Sequence, residues 1–323
     1  MSSMDKPADA VAQPAANPAT RSAWFAKIDQ LVEESGYLEP LGKHHWAFFT
    51  DESPTLIVSF ERLDDILETP EQMPLGHDLA AAQGWSHLCI IADGPTWYRD
   101  KRVYGYFDRL VDEAFFDDFD RVVFMGSGPQ GYAAAAFSVA APGCDVIALS
   151  PRATLLPDVA VWDQRDLTAR RLDFTSRYGY APDMVSGARK VHVFYDPDIR
   201  EDAMHAALFS GNYVNKYKMR MTEGRSEWTL VKMHLLPQIV EQVLDHRLTP
   251  LSFAKLWRAR RNFGPYLRNI LGRAEALGRT SHEKAICRSV TQRLQAPRFR
   301  KRLTEIQAAE AAATAALAPS PKS

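Results

Sequence analysis

Apolar residues in this chain come in short runs separated by polar stretches of helical spacing. Ser86–Ala92 (SHLCIIA), Arg121–Met125 (RVVFM), Asp145–Leu149 (DVIAL) and Val191–Tyr195 (VHVFY) are apolar nearly throughout. Continuous runs of this length predict strands covered on both faces. Val214–Met221 predicts a weaker strand. Between the runs, Lys101–Phe116 and the small-residue stretch Gln130–Ala140 have helical character. Strands alternating with helices predict a mainly parallel sheet with helices on both sides. Upstream, a short helix is expected from Ser22 through Glu34. His45–Phe49 and Thr55–Phe60, separated by Asp51-Glu52-Ser53-Pro54, read as a hairpin.

From Trp228 onward the strand pattern stops. Thr249-Pro250 predicts a capped helix start. Thr280 with Glu283 has the spacing of a capping box, and Phe299–Leu317 reads as a final helix. His234 falls in a helical pattern and reads as structural. The expected organisation is a disordered tail at 1–21, a body at 22–247, a helical appendage at 248–317 and a frayed tail at 318–323.

Charge changes this picture in the appendage. The net charge is −1, but between Lys255 and Arg302 the only acids are Glu275 and Glu283, set among many arginines and lysines. Asp108, Asp112, Glu113, Asp117, Asp118 and Asp120 form an opposite, acidic stretch. Packing of the two against each other is the leading expectation, ahead of contact with an external polyanion. No nucleic-acid-binding motif accompanies the arginines, which disfavours a nucleic-acid partner. Oligomers are allowed.

Cys89, Cys144 and Cys287 are widely spaced and odd in number, with no CxxC spacing, which disfavours a disulfide framework and a cysteine-based zinc site. His44-His45 has no further ligand at suitable spacing, so no metal site is expected there, and no cofactor is called for. No apolar run is long enough to span a membrane. The Ala/Pro-rich start lacks a signal core, so the expected location is the cytoplasm.

The most informative segment is Arg121–Pro151, a strand running into a glycine turn and then a helix. Gly126, Gly128 and Gly131 spell GxGxxG, a dinucleotide fingerprint in the right local context. The next strand, however, ends Leu149-Ser150-Pro151-Arg152, without the acidic residue that would hold a ribose. The alternative is a nucleophile elbow, a sharp strand–turn–helix with small neighbours.

Asp93-Gly94-Pro95-Thr96-Trp97-Tyr98, followed by a helix, a strand and Gly126-Ser127-Gly128-Pro129-Gln130-Gly131-Tyr132, resembles a group of α/β-hydrolase-like proteins with a D…WY segment and a GSSMGGY elbow. The resemblance covers about residues 55–228. It implies an α/β-hydrolase-like fold in which the nucleophile position holds Gly128, the acid position Asp196 and the base position Arg225. Glycine has no nucleophilic oxygen and arginine stays protonated, so the implied protein is catalytically altered. Ser127, one residue early, is a weak substitute nucleophile. An Asp196–Arg225 ion pair would leave an anion-tolerant pocket. The elbow glycines Gly126, Gly128 and Gly131, with Arg152, Arg177 and Tyr178, are then the candidate binding residues for a small anionic ligand. The Arg170–Asp183 segment is the candidate lid. A protein partner is the other expectation.

The chain also resembles a group of alphaproteobacterial proteins through HHWAFF, QMPLG, RLDFTSRYGYAPDM, DAMHAALF and LWRARR. That group is commonly labelled phosphoadenosine phosphosulfate reductase. Reductases of that kind carry an SGGxDS loop and a C-terminal Cys-Gly-x-His segment. This chain has Gly126-Ser127-Gly128-Pro129 and, around Cys287, Ala-Ile-Cys-Arg. The sequence therefore favours a ligand-binding or accessory protein. Sulfonucleotide reductase and residual serine hydrolase are the alternatives.

Overall fold

The computed structural model describes residues 18–32 and 36–317. The expected tails at 1–17 and 318–323 lie outside the described residues. Residues 18–21 belong to the first helix, Pro18–Val32, which starts earlier than the sequence suggested.

Eight strands form one sheet: β1 (Gly36–Pro40), β2 (His45–Thr50), β3 (Thr55–Arg62), β4 (Ser86–Ala92), β5 (Arg121–Ser127), β6 (Asp145–Leu149), β7 (Lys190–Tyr195) and β8 (Val214–Lys218). Their order is β1-β2-β4-β3-β5-β6-β7-β8. β2 runs antiparallel to β1 and β4, and every other pairing is parallel. With helices on both faces and a sharp turn after β5, this is the α/β-hydrolase fold.

The hairpin expected between β2 and β3 does not form. β2 pairs with β1 and β4, while β3 sits between β4 and β5. The first six residues of β3 are all buried. A strand without a polar face needs cover on both sides and two neighbours, which the sheet centre supplies and a hairpin at the edge does not. β1 and the short helices Leu63–Glu68 and Leu75–Ala81 carry too little periodicity to be seen in sequence.

Side chains alternate across the sheet into two core layers. Leu56, Val58, Phe60, Phe124, Val146 and Ala148 face one layer, filled by the helices Lys101–Asp112 and Pro129–Phe137. Ile57, Val123, Met125, Ile147 and Leu149 face the other, against Leu236, Ile239, Val240 and Val243 of the helix Leu236–Leu244. Lys101–Asp112 is helical because Asp100 caps it, accepting from Arg102 N at 2.8 Å. Its buried face of Val103, Tyr104, Tyr106, Phe107 and Leu110 follows helical spacing.

The C-terminal helices are partly tied to the body. Phe253 and Trp257 join the second core layer beside Phe194 and Tyr217. Leu267, Leu271, Cys287, Val290 and Phe299 make a separate small core. Thr249 caps its helix as expected, within a full capping box with Ser252. The Thr280–Glu283 box does not form. Glu283 turns inward, 2% exposed, and is bound by Arg302 at 2.6 Å. A buried carboxylate keeps its charge only with such a partner, and that outweighs a cap.

The acidic stretch is not the partner of the basic helices. Asp108 pairs with Arg177 at 2.6 Å. Among the described residues the basic helices form ion pairs within themselves, Arg302 with Glu275, Glu283 and Glu305, and Lys284 with Glu310. No described helix is long and apolar enough to cross a membrane.

The turn after β5 is set by glycine. Gly128 has φ +59° and ψ −120°, dihedrals costly for any residue with a Cβ. Gly126 and Gly131 serve a different purpose. A Cβ on Gly126 would lie 2.3 Å from the Gln130 carbonyl oxygen, and one on Gly131 would lie 3.0 Å from that of Gly126. A Cβ on Gly128 meets nothing within 4 Å. Gly126→Ala is therefore expected to destabilise the fold by about 3 kcal/mol or more through backbone overlap. Gly128→Ala should cost only about 1–2 kcal/mol of backbone strain. Chemical denaturation of the two variants measures the difference.

Candidate functional site

The C-terminal ends of parallel strands are where α/β sheets bind ligands. Here β3 and β5 end beside a cavity of about 180 Å³, lined by Ser59, Glu61, Arg62, Asp65, Gly126, Ser127, Gln130 and Glu227 among others. A neighbouring cavity of about 120 Å³ shares Arg62 and Gln130 and is completed by Gly94–Tyr98 and Asp166. The D…WY segment frames this second space. Trp97 and Tyr98 both adopt left-handed dihedrals. The Trp97 indole donates to Asp166 at 2.9 Å and the Tyr98 hydroxyl to the Glu61 carbonyl at 3.1 Å. Both rings are buried, so they build the wall.

The first cavity is acidic. Glu61, Asp65 and Glu227 outnumber Arg62, which also bonds Asp64 at 3.3 Å. Burial pushes the Glu227 carboxyl up to about 7, helped by repulsion from Glu61 and Asp65. Burial also raises Glu61, although the backbone N–H groups of Leu75 and Gly76 donate to it at 2.7 and 2.8 Å. Glu227 can therefore exchange a proton near neutral pH, the property expected of a general acid or base. No histidine lines this cavity among the described residues.

The residues singled out by sequence separate into groups. Gly126, Gly128 and Gly131 form the turn, and Gly126 and Ser127 line the cavity. Asp196 follows β7 as expected and is 1% exposed. Its oxygens accept from the backbone N–H groups of Thr222, Glu223 and Asp198 at 2.8, 3.0 and 3.0 Å.

Arg225 does not pair with Asp196. It is exposed, bonds Glu223 at 3.1 Å and lies 5.1 Å over the Trp228 ring. The Asp196 carboxylate is satisfied by backbone donors inside the fold, so the expected ion pair and its anion-tolerant pocket do not form. Arg152 sits in a buried cluster, 3.3 Å from Asp163 and 3.4 Å from Asp202. Arg165 and His205 complete that cluster. Bonds from His205 and Arg165 overcome the burial of Asp163 and hold its carboxyl well below the usual range.

Arg177 pairs with Asp108, and the Tyr178 ring packs on Phe137 and Tyr104. Arg152, Arg177 and Tyr178 thus lie outside the cavity lining. Arg99 bonds the carbonyls of Asp173 and Arg177 and the Ser176 hydroxyl, so the candidate lid is pinned down. His234 is not helical. It takes φ +54° between the helices Ser226–Lys232 and Leu236–Leu244.

Glu61, Arg62 and Glu227 were missed by sequence reading. The one available signal was a charged pair, Glu61-Arg62, directly following a wholly apolar strand.

The raised Glu227 pKa has a stability consequence. A group whose folded pKa is raised favours folding while protonated, and that contribution is lost as pH rises through the folded value. Wild-type stability should therefore fall relative to Glu227→Gln as pH climbs from about 4.5 through about 7. Closely similar melting temperatures below about pH 4 and a more stable variant at pH 8 are expected from thermal unfolding.

No family model matches the sequence, and no curated protein does either. Solved structures similar to the chain include a capsule O-acetyltransferase of Neisseria meningitidis serogroup A, with 10% identity over 58% of this chain and 90% of that one, at a TM-score of 0.39. Est1E from Butyrivibrio proteoclasticus shares 12% identity over 65% and 99%, at 0.44. A sugar hydrolase from Lactococcus lactis shares 13% identity over 69% and 100%, at 0.45. The assignment of the fold rests on the strand order and the turn after β5.

Proposed function

We propose that this protein uses an α/β-hydrolase scaffold to bind a ligand or partner without cleaving it through a serine nucleophile. The observation that carries the reading is Gly128, which takes the elbow's strained dihedrals at the nucleophile position and has no side chain to attack with. Two further observations support it. Arg225 at the base position is turned toward solvent and Glu223, and no histidine lines the cavity among the described residues.

The ligand expected in the cavity is small and either cationic or rich in hydroxyl groups. Three carboxyl groups against one arginine disfavour an anion there, because a negative ligand adds like charge in a poorly solvated space. A cleft at the C-terminal helices sets Arg268, Arg273 and Arg298 against Asp196, Asp198 and Glu223, so its charges balance and it favours neither sign of ligand. The reductase alternative needs an accessible thiol of low pKa. Cys287 is 0% exposed and burial raises it.

The test is labelling with a fluorophosphonate probe, together with turnover of a simple nitrophenyl ester. Wild type is expected to stay unlabelled and inactive. Gly128→Ser should fit sterically yet gain no more than slow labelling, since no base is placed beside it. Labelling of wild type that is lost in Ser127→Ala would overturn the proposal in favour of a residual hydrolase. A thermal-shift panel of small amines, polyols, sugars and sulfonucleotides tests binding. A ligand at a hundred times its Kd stabilises by about 2.7 kcal/mol. A shift with sulfonucleotides alone would favour the reductase.

A further inference from the structure

Beneath the helix Leu75–Ala81, β3 and β4 gather four polar side chains in an otherwise apolar layer. In the ladder Ile57 pairs with His87 and Ser59 with Cys89. Alternation along each strand then puts Ser59, Glu61, His87 and Cys89 on one face. Ligating atoms of Glu61, His87 and Cys89 all lie within 4.8 Å of one another. The Ser59 hydroxyl bridges Glu61 Oε1 and His87 Nε2, at 2.8 Å from each.

Hydrogen bonding alone leaves this cluster incomplete. His87 is wholly buried and its Nδ1 has no partner. An orphaned polar atom of this kind costs about 1–3 kcal/mol, so a fold that retains one calls for an explanation. Cys89 is equally buried, with its sulfur near a carboxylate.

We propose that Glu61, His87 and Cys89 bind a single divalent ion of the zinc type. Thiolate, imidazole and carboxylate together suit zinc, whereas calcium and magnesium prefer oxygen alone. Three protein ligands leave a fourth position for a water or ligand. The outer shell is in place. Leu75 N and Gly76 N hold the Glu61 carboxylate, and Ser59 links Glu61 to the imidazole. Binding moves the Cys89 thiol proton to solvent and leaves a metal thiolate, with no change of oxidation state. Ser59 and Glu61 also line the cavity beside Gly126 and Ser127, which gives an ion a way in. The inference is independent of the missing nucleophile, since none of its ligands belongs to the elbow.

Cobalt(II) is the probe, because a cobalt–thiolate bond absorbs in the near ultraviolet. Full-length protein stripped with chelator is titrated with cobalt while circular dichroism monitors folding. One equivalent should bind with a thiolate band, and zinc should displace it. Cys89→Ser should abolish the band, and Cys144→Ser and Cys287→Ser should keep it. Glu61→Gln preserves volume and all three strand positions. It should keep the band but weaken cobalt binding about 10-fold or more. Folded wild type that binds no cobalt, or a band that survives Cys89→Ser, would overturn the site. If Cys89→Ser fails to fold, the weaker binding of Glu61→Gln and the retained bands of the other two cysteine variants decide the question. Unchanged affinity in Glu61→Gln, or loss of the band in Cys144→Ser or Cys287→Ser, would count against it.

Discussion

The close approach of one helix to the ends of two strands governs this structure. The helix Pro129–Phe137 begins directly above β5 and β6, near enough that Gly126 and Gly131 have no room for a side chain. Gly128 turns the chain between them, donating its N–H to the Leu149 carbonyl at 2.8 Å and thereby tying the turn to β6. That contact fixes where β5 stops, and so where the cavity beside β3 opens. It also buries Tyr132–Phe137 completely, which makes the helix part of the core.

The same constraint explains how the turn forms with glycine at 128. Its shape depends on backbone packing among Gly126, Gln130, Gly131 and Leu149, and none of those contacts involves a side chain at 128. The geometry of the turn therefore does not depend on a side chain at 128. The left-handed Trp97 and Tyr98 belong to the same framework, since their hydrogen bonds to Asp166 and Glu61 close the neighbouring wall.

Charge is divided by location. Carboxylates gather at the cavity, a buried cluster of Arg152, Asp163, Arg165, Asp202 and His205 braces the segment after β6, and arginines dominate the C-terminal helices. The buried cluster is costly to desolvate and holds because each charge meets opposite partners. This explains why Arg152 is committed to the fold, although sequence made it a candidate anion ligand. Among the described C-terminal arginines Arg302 alone forms ion pairs, with Glu275, Glu283 and Glu305.

Local pattern by itself determined the parallel strands, the glycine turn, the Thr249 cap and the late helices. Each is written in neighbouring residues: an apolar run, a dihedral only glycine takes easily, or a cap one turn from its amide. Tertiary structure alone decided the partners. It placed β3 in the middle of the sheet and paired Asp108 with Arg177. It also turned Arg225 away from Asp196 and buried Glu283 against Arg302. The site residues Glu61 and Glu227, and the meeting of Glu61 with His87 and Cys89, were decided in the same way. Such contacts join residues far apart in the chain, and which pairs form depends on whose lone pairs and charges burial leaves unsatisfied, a competition invisible until the chain has packed.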